Sequence, residues 1–394
     1  MTATVLPASA PRPARRVRVR PRALDGGAAT VTVVVPCHDY ARFLPAAVGS
    51  ALAQEGVTVD VVVVDDASTD DSLAVAHALA RADARVRVLE HPVNQGPVRT
   101  FNDGLAVATG EFLVRLDADD LLTPGSLARS VALARAYPTV GLVYGHPVHF
   151  VTGGPGGPGG PDGTDGTDGT GGTGGPAPGS ARTRARSWTV WPGHEWLARR
   201  CAEGHNVITS PEVLMRSAVV ARVGGQQPLA HTHDMEMWLR VAAFSDVAYV
   251  GGADQAWHRE HAASLSARKV DQMVDLRERL AAFDTLFAGQ AREVRGASGL
   301  HETARRALAL EALGRLRYEL DRGRRRPGLA DELFGFARAA WEPVVDEPQW
   351  DRLRRRVADG RDPAWGRIAA TARVGWARVD DRLRARRWAT RGEY

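Results

Sequence analysis

Two runs of β-branched residues, 31–36 and 57–64, set the pattern of the N-terminal half of the chain. Neither run alternates apolar with polar positions along its whole length, and 61–64 is unbroken valine. A continuous apolar run of strand length, bounded by turn or helix signals, predicts a parallel strand buried on both faces. Between them, 44–54 is Ala-rich with helical spacing, and 70–82 follows the second run with the same spacing. Ser68 and Asp70 are the side chains available to cap that second helix. A short strand is expected at 85–89, a helix at 101–108 with Gly110 as its stop, and a strand at 111–116. Pro124 suits the first turn of a helix running to Tyr137, and a further strand begins at 142–144. The β-α-β-α-β-α-β alternation predicts a doubly wound α/β sheet.

The pattern then breaks. Residues 152–180 hold 14 glycines in 29 positions and too little apolar content to order themselves. Their DGTDGTDGT run lacks the regular nonapeptide period of calcium-binding repeats, so a flexible Gly/Pro/Asp/Thr insertion is expected. Strand-like sequence brackets it, which makes it a loop within a domain. Ordered patterning resumes over 187–266. The last stretch is Ala/Arg/Leu-rich with helical periodicity, interrupted by Pro327, Pro343, Pro348 and Pro363. The division that follows is a disordered basic arm at 1–27, a catalytic domain at 28–266 and a helical C-terminal region at 267–394.

Charge sharpens this division. The net formal charge of +5 is made of +5 in residues 1–27, −6 in 28–270 and +6 in 271–394. An acidic middle argues against nucleic-acid binding there. Lys269 is the only lysine, so the basic charge is almost entirely Arg. The two cysteines, Cys37 and Cys201, exclude a disulfide framework and suit a reducing compartment. No apolar run approaches the ~20 residues of a membrane-spanning helix, and the N-terminus has charge without the apolar core of a signal peptide. A cytoplasmic protein is expected. The Arg and Trp content of the C-terminal region (Trp341, Trp350, Trp365, Trp376, Trp388) leaves two readings. One is docking on an anionic membrane face. The favoured one is a helical cap whose tryptophans pack inward, because acids are interspersed throughout.

Four segments carry the chemistry. They are VTVVVPCHDYARFLPAAVGSALAQ at 31–54, VDVVVVDDASTDDS at 59–72, NQGP through FNDGLAVATGEFLVRLDADDLLTPG at 94–125, and NVITSPEVLMRSAVVARVGG through HTHDMEMWLRVA to WHREHAASLS at 206–266. Asp65 and Asp66 directly follow a buried strand, at the carboxyl end where open α/β sheets bind ligands. A carboxylate there can accept hydrogen bonds from a nucleobase or ribose. Asp117, Asp119 and Asp120 end another strand, and three crowded carboxylates repel one another unless a cation neutralises them. Their hard oxygens suit Mg²⁺ or Mn²⁺.

Taken in order, the four segments resemble the family 2 glycosyltransferases over roughly residues 30–266. The resemblance implies a GT-A-like doubly wound mixed sheet and a nucleotide-sugar donor. It implies donor-binding roles for Pro36, Asp39, Asp65, Asp66, Asn94, Gly96, Asp117, Asp119 and Arg259. Asp117 and Asp119 inherit the family's metal-binding DxD, with His261 as a further ligand, and the cofactor would be Mn²⁺ or Mg²⁺. Asp234 inherits the role of catalytic base, because an acidic residue precedes the family's W-x-R helix. For Asp234 a helix N-cap stays open, for Asp120 a cap of the helix near Pro124, for Arg240 an ion-pair partner or a phosphate contact. Trp238 reads as core, and Glu236 would face another side of the helix.

Several positions depart from the family. His233 stands where Glu usually precedes the Asp, Asp39 where Asn is usual, and Phe101 where an Arg often precedes the Asn of the loop helix. The expected reaction is inverting transfer of a sugar to the hydroxyl of a saccharide, lipid-linked or small-molecule acceptor. The rivals are a nucleotidyltransferase, which would want a Gly-rich basic loop where PCHDYARFL has only Arg42, a nucleotide-sugar hydrolase, and a catalytically silent scaffold.

Overall fold

The computed structural model describes residues 13–23, 27–151, 180–205, 208–260, 271–359, 383–384, 387–388 and 392. In it the two valine runs are neighbouring parallel strands. β1 is Val17–Val19, β2 Ala29–Cys37, and β3 Val57–Asp65, with helix α1 (Leu44–Leu52) between the last two. Helix α2 (Ser72–Ala82), strand β4 (Val86–Glu90), helix α3 (Pro97–Ala106), strands β5 (Phe112–Arg115) and β6 (Leu121–Leu122), and helix α4 (Ser126–Ala136) follow. Then come β7 (Val140–Val151), β8 (Ser187–Trp191), α5 (Gly193–Glu203), β9 (Leu214–Arg216), α6 (Ser217–Val223), α7 (His233–Phe244) and β10 (Asp246–Glu260). The C-terminal helices are α8 (Gln272–Ala288), α9 (Ala297–Asp321), α10 (Leu329–Ala340) and α11 (Pro348–Asp359).

Among the described residues the strands form one mixed sheet in the order β1-β8-β10-β7-β9-β5-β2-β3-β4, with β6 paired to β10. β2, β3, β4 and β5 are parallel, while β9 is inserted antiparallel between β5 and β7. Continuous valine runs are what such strands require. Val31, Val33, Val35, Val61 and Val63 face one apolar layer, built with α1, α2 and α4. Val34, Val62 and Val64 face the other, built with α3, α5, α6 and α7. That second layer continues without a break into the C-terminal helices through Phe283, Leu308, Leu313, Phe336 and Trp350.

The expected α/β class and helical C-terminal region are therefore observed, and several local expectations change. Val17–Val19, inside the segment read as a disordered arm, form an edge strand. Their register with Trp188, Thr189 and Val190 supplies backbone partners that the arm's own composition does not advertise. α4 opens at Ser126, two residues after Pro124. α3 ends at Ala106, so Gly110 is not its stop. Gly110 lies instead against β2, where an added Cβ would come within 2.5 Å of the Thr32 backbone nitrogen. Pro327 falls between α9 and α10, and Pro348 begins α11. Trp350 is buried and Trp341 packs against the same core, as the inward reading of the tryptophans requires. Trp388 stacks on Tyr144, and Gly392 accepts the Tyr144 hydroxyl's hydrogen bond through its carbonyl. Among the described residues no helix is long and apolar enough to cross a membrane. The Gly-rich segment 152–179, residues 1–12, His261, Trp365 and Trp376 lie outside the described residues.

The register aligns the carboxyl ends that matter. Cys37 pairs with Asp65, Asp65 with Glu90, and Val34 with Arg115. The loops after β2, β3 and β5 consequently leave from one edge of the sheet. That edge is where a doubly wound sheet leaves a crevice for ligands.

Candidate active site

Two loops on this edge are built around strained backbone. Asp39 and Ala67 are the non-glycine residues with positive φ among those described, at 59° and 54°. Such a conformation costs about 1–2 kcal/mol and persists only where neighbours enforce it. Here the two loops enforce each other. Asp39 Oδ1 accepts the Thr69 N–H at 2.6 Å, and the Asp39 N–H donates to Ser68 Oγ at 3.1 Å. The Thr69 N–H is the main reason the exposed Asp39 carboxyl lies below its ordinary pKa. Asp70 accepts from the Ser72 N–H at 2.8 Å and from the Ala41 N–H at 3.1 Å, while Asp71 holds the cap position of α2.

Asp65 and Asp66 are both buried and turned inward. Asp65 accepts the Ser68 N–H at 3.0 Å and its hydroxyl at 2.6 Å. Asp66, 3% exposed, accepts the N–H groups of Gln95 and Gly96 at 2.8 and 2.9 Å and lies 2.8 Å from His91 Nδ1. Burial works against its charge, but the His91 and backbone hydrogen bonds outweigh it and lower the pKa. The Asn94 side chain accepts from the same Gly96 N–H at 3.1 Å. Gly96 has φ 84°, a value suited to glycine, and starts α3. Asp66 thus shapes the 94–96 loop. Asp66→Asn would set an amide NH₂ against one of these donors, an expected cost of about 2–3 kcal/mol. Urea unfolding should show a lower midpoint with an unchanged slope; an unaltered midpoint would remove the brace from the argument.

The third loop carries the aspartate triplet. Its turn is closed by the Asp120 N–H donating to the Asp117 carbonyl at 2.9 Å. β6 then pairs with β10 and draws Asp120 into the interior. Asp120 accepts the Arg259 N–H at 2.8 Å and lies 3.0 Å from His258 Nδ1. It does not cap α4, whose N-cap is Gly125. Burial opposes charge on His258, but its hydrogen bond to the buried Asp120 carboxyl outweighs burial and raises the imidazole above its ordinary value. Arg259 Nε donates to the Asp119 carbonyl at 2.8 Å, and its guanidinium is held between the rings of Phe43 and Phe150. Asp119 is 8% exposed, and Asp117 keeps a third of its side chain in solvent. Among the described residues no group of three His, Cys, Asp or Glu forms a ready metal cage. What the turn offers is two hard carboxylates on one edge.

Opposite stands α7. Asp234 lies in its first turn, but the N-cap is Thr232, and the Asp234 carboxylate accepts the adjacent Met235 N–H at 2.5 Å. Burial pushes the Asp234 carboxyl up to about 6. Arg115 pulls against that shift and Asp117 adds to it, so the three groups sit within electrostatic reach. His233 is buried and driven down to about 3, which keeps its imidazole neutral. Glu236 does face elsewhere. It is fully buried and pairs with Arg240 through two bonds of 2.9 and 2.8 Å. Arg240 also holds the carbonyls of Val223, Gly224 and Gly225, which settles it as a structural ion-pair partner. Trp238 is core.

Sequence reasoning missed Arg115 and His258. Arg115 is buried at the end of β5, donates through Nε to Asp117 at 2.8 Å and through NH1 to Gln226 Oε1 at 2.9 Å, and lies over the Phe101 ring. The Gln226 backbone is held in turn by the Asn102 side chain, whose NH₂ donates to the Gln226 carbonyl and whose Oδ1 accepts the Gln226 N–H. A lone Arg in an otherwise apolar strand, two residues before Asp117, was the available signal.

Residues 32–184 match the family model described as Glycosyl transferase family 2. The succinoglycan biosynthesis protein ExoO of Rhizobium meliloti is 43% identical over 106 residues, covering 27% of this chain and 30% of its own length. An uncharacterized glycosyltransferase of Nostoc sp. is 37% identical over 115 residues, 29% of this chain and 35% of its own. The chain thus spans about a third of the length of these relatives. Among solved structures, TarS of S. aureus in complex with UDP-GlcNAc aligns with a TM-score of 0.46 at 16% identity, covering 80% of this chain and 92% of that one. The mannosyltransferase PcManGT from Pyrobaculum calidifontis, in complex with GDP-Man and Mn²⁺, aligns with a TM-score of 0.46 at 17% identity, covering 89% and 88%.

Proposed function

We propose, from the match of residues 32–184 to the Glycosyl transferase family 2 model, that the protein is an inverting glycosyltransferase of that family. It moves a sugar from a nucleoside-diphosphate sugar to an acceptor hydroxyl, in the assembly of a polysaccharide or related glycoconjugate. The observation that carries this reading is Asp234, a carboxyl lifted to about 6 by burial and within electrostatic reach of Asp117 and Arg115. A group of that pKa is ionised at neutral pH yet basic enough to accept a proton in the transition state.

In this reading the loops braced by Asp39, Asp65 and Asp66, with Pro36, Asn94 and Gly96, form the walls of the nucleotide site. Asp117 and Asp119 would hold Mn²⁺ or Mg²⁺, which when bound offsets the charge of the leaving diphosphate. Arg115 occupies one Asp117 oxygen and leaves the other for that purpose. Arg259 fixes the turn from below through the Asp119 carbonyl. Asp234 takes the acceptor's proton as the hydroxyl oxygen bonds to the anomeric carbon and the sugar–diphosphate bond breaks. A single displacement of this kind inverts the anomeric centre and needs no covalent enzyme intermediate.

The test is thermal shift with UDP, GDP, dTDP and CDP, each with and without Mn²⁺. One nucleotide should raise the melting temperature in a Mn²⁺-dependent way, and the matching sugar donor should turn over faster with acceptor than with water alone. Turnover indifferent to acceptor would make the protein a nucleotide-sugar hydrolase, and no shift with any nucleotide would favour a silent scaffold.

A further inference from the structure

The arginines and acids of the C-terminal helices are interspersed in sequence and separated in space. Residues 317–332 and 350–359 together hold nine arginines and six acids. Both terminal nitrogens of Arg325 donate to the Arg356 carbonyl at 3.3 Å, which draws the turn between α9 and α10 against the end of α11. Two arginine-rich runs, RGRRR at 322–326 and RLRRR at 352–356, meet there. The acids nearest to them turn inward. The Asp321 side chain is 3% exposed and pairs with Arg356 at 2.9 Å, and Glu319 is buried beside Arg324. Trp350 and Leu353 hold the inner face of α11 in the core. Arg322, Arg325, Arg326, Arg352, Arg354 and Arg355 are exposed, and among the described residues none of them is paired with a carboxylate. Asp331, Glu332, Asp351 and Asp359 are exposed too, and none of them forms an ion pair among the described residues.

This end stands open to solvent and is nearly bare of apolar groups. Gly323 and Gly328 bound the turn, and a Cβ added at either meets nothing within 4 Å. An aromatic ring stands at the rim. Tyr318 is 37% exposed, and its hydroxyl accepts from Arg322 NH1 at 2.7 Å. Three kinds of anionic partner make different demands on such a surface. A single-stranded nucleic acid wants a groove with successive aromatic faces. A protein wants apolar anchors buried at the centre of the contact. An anionic bilayer wants only unpaired guanidinium groups on an open surface, with an amphipathic ring at headgroup depth. The arginine end meets the last of these demands.

We infer that the α9–α10 turn and the last turns of α11 form a docking surface for a bilayer that carries anionic phospholipid. A guanidinium with no carboxylate to satisfy it offers a lipid phosphate two parallel N–H donors. The acids of this end do not neutralise the surface, because two are turned inward and the four exposed ones hold no arginine. Trp341 and Trp350 take no part, because they pack against the core. The attraction is therefore electrostatic, and salt screens it. None of these residues belongs to the donor site, so the failure of either reading leaves the other standing.

Co-sedimentation of the full chain with phosphatidylcholine vesicles, with and without about one third phosphatidylglycerol, tests this at low and high salt. Wild type should sediment with the anionic vesicles at low salt, stay in solution with phosphatidylcholine alone, and be released by high salt. Each interfacial arginine is worth about fivefold in binding, so Arg325→Gln with Arg326→Gln should cost about twentyfold, and Arg354→Gln with Arg355→Gln the same. The four changes together should cost several hundredfold, and lysine at the same four positions should keep binding within about threefold of wild type. The two pairs lie on different elements, so a folding defect in one leaves the other to be read by its melting temperature. Gln at four exposed arginines elsewhere (Arg81, Arg184, Arg277 and Arg295) removes the same net charge and should leave binding within about threefold of wild type. A wild type that ignores anionic vesicles at low salt overturns the inference, as does equal binding to both kinds of vesicle. A control that loses as much as the four-arginine variant overturns it as well, because net charge then suffices. A labelled single-stranded RNA that binds the same arginines more tightly than the vesicles do overturns it in favour of nucleic acid.

Discussion

Asp234→Asn should lower kcat for sugar transfer by about a thousandfold while nucleotide affinity stays within about twofold. Asparagine keeps the shape of the side chain and can still accept the Met235 N–H, so the first turn of α7 is preserved. What it loses is the capacity to take a proton, a contribution of typically 10²–10⁴ in rate. The pH profile separates this from a structural defect. With the Asp234 carboxyl lifted to about 6, wild-type kcat/KM should rise about tenfold per pH unit below 6 and level off above it. A cation held by Asp117 would draw the limb to lower pH, because Asp117 is one of the groups raising the pKa. The variant should show no such limb. Stability runs the other way. A carboxyl whose pKa is raised on folding costs stability as pH climbs from its ordinary value near 3.8 through 6. Asp234→Asn should therefore melt higher than wild type at pH 7, as removal of a strained functional group often does. A variant retaining a tenth of wild-type turnover would take the base role away from Asp234.

Where one segment's pattern sufficed, the chain was legible. Val31 to Val35 and Val59 to Val64 declare strands buried on both faces, and the carboxylates that follow them mark the ligand edge without knowledge of any contact. What the sequence hid are the bonds between loops. Asp66 reads as an open ligand until the N–H groups of Gln95 and Gly96, some thirty residues on, are seen to close on it. Asp120 reads as a helix cap until β6 pairs with β10 and delivers His258 and Arg259 to it. Arg115 reads as a misfit in an apolar strand until Asp117 and Gln226 appear at its two ends. β1 is the limiting case. Three residues in an Arg-rich arm carry no usable period, and their order comes from β8, more than 160 residues away. The triplet 117–120 thus divides by a criterion that composition cannot supply. Asp120 is enclosed by His258 and Arg259, while Asp117, though paired with Arg115, keeps a third of its side chain in solvent.

That division makes Asp119→Ala the cleaner test of the cation. Arg259 grips the Asp119 backbone carbonyl, not only its neighbourhood of charge, and the Asp120 clamp on β10 is untouched by the change. The turn should keep its shape, and the melting temperature without ligand should change little. The loss falls on the hard oxygen donor. Half of a two-carboxylate set disappears, and the Mn²⁺ concentration needed for half-maximal turnover should rise about a hundredfold, with kcat/KM falling by a similar factor at fixed Mn²⁺. Nucleotide-induced stabilisation should lose its Mn²⁺ dependence. Asp117→Ala is a less direct probe, because it also frees the Arg115 guanidinium beside Asp234 and would shift the base as well as the cation. If Asp119→Ala keeps the wild-type Mn²⁺ midpoint while Asp117→Ala loses it, the cation rests on Asp117 alone, and Asp119 serves only to hold Arg259. If both keep it, transfer proceeds without a cation at this turn.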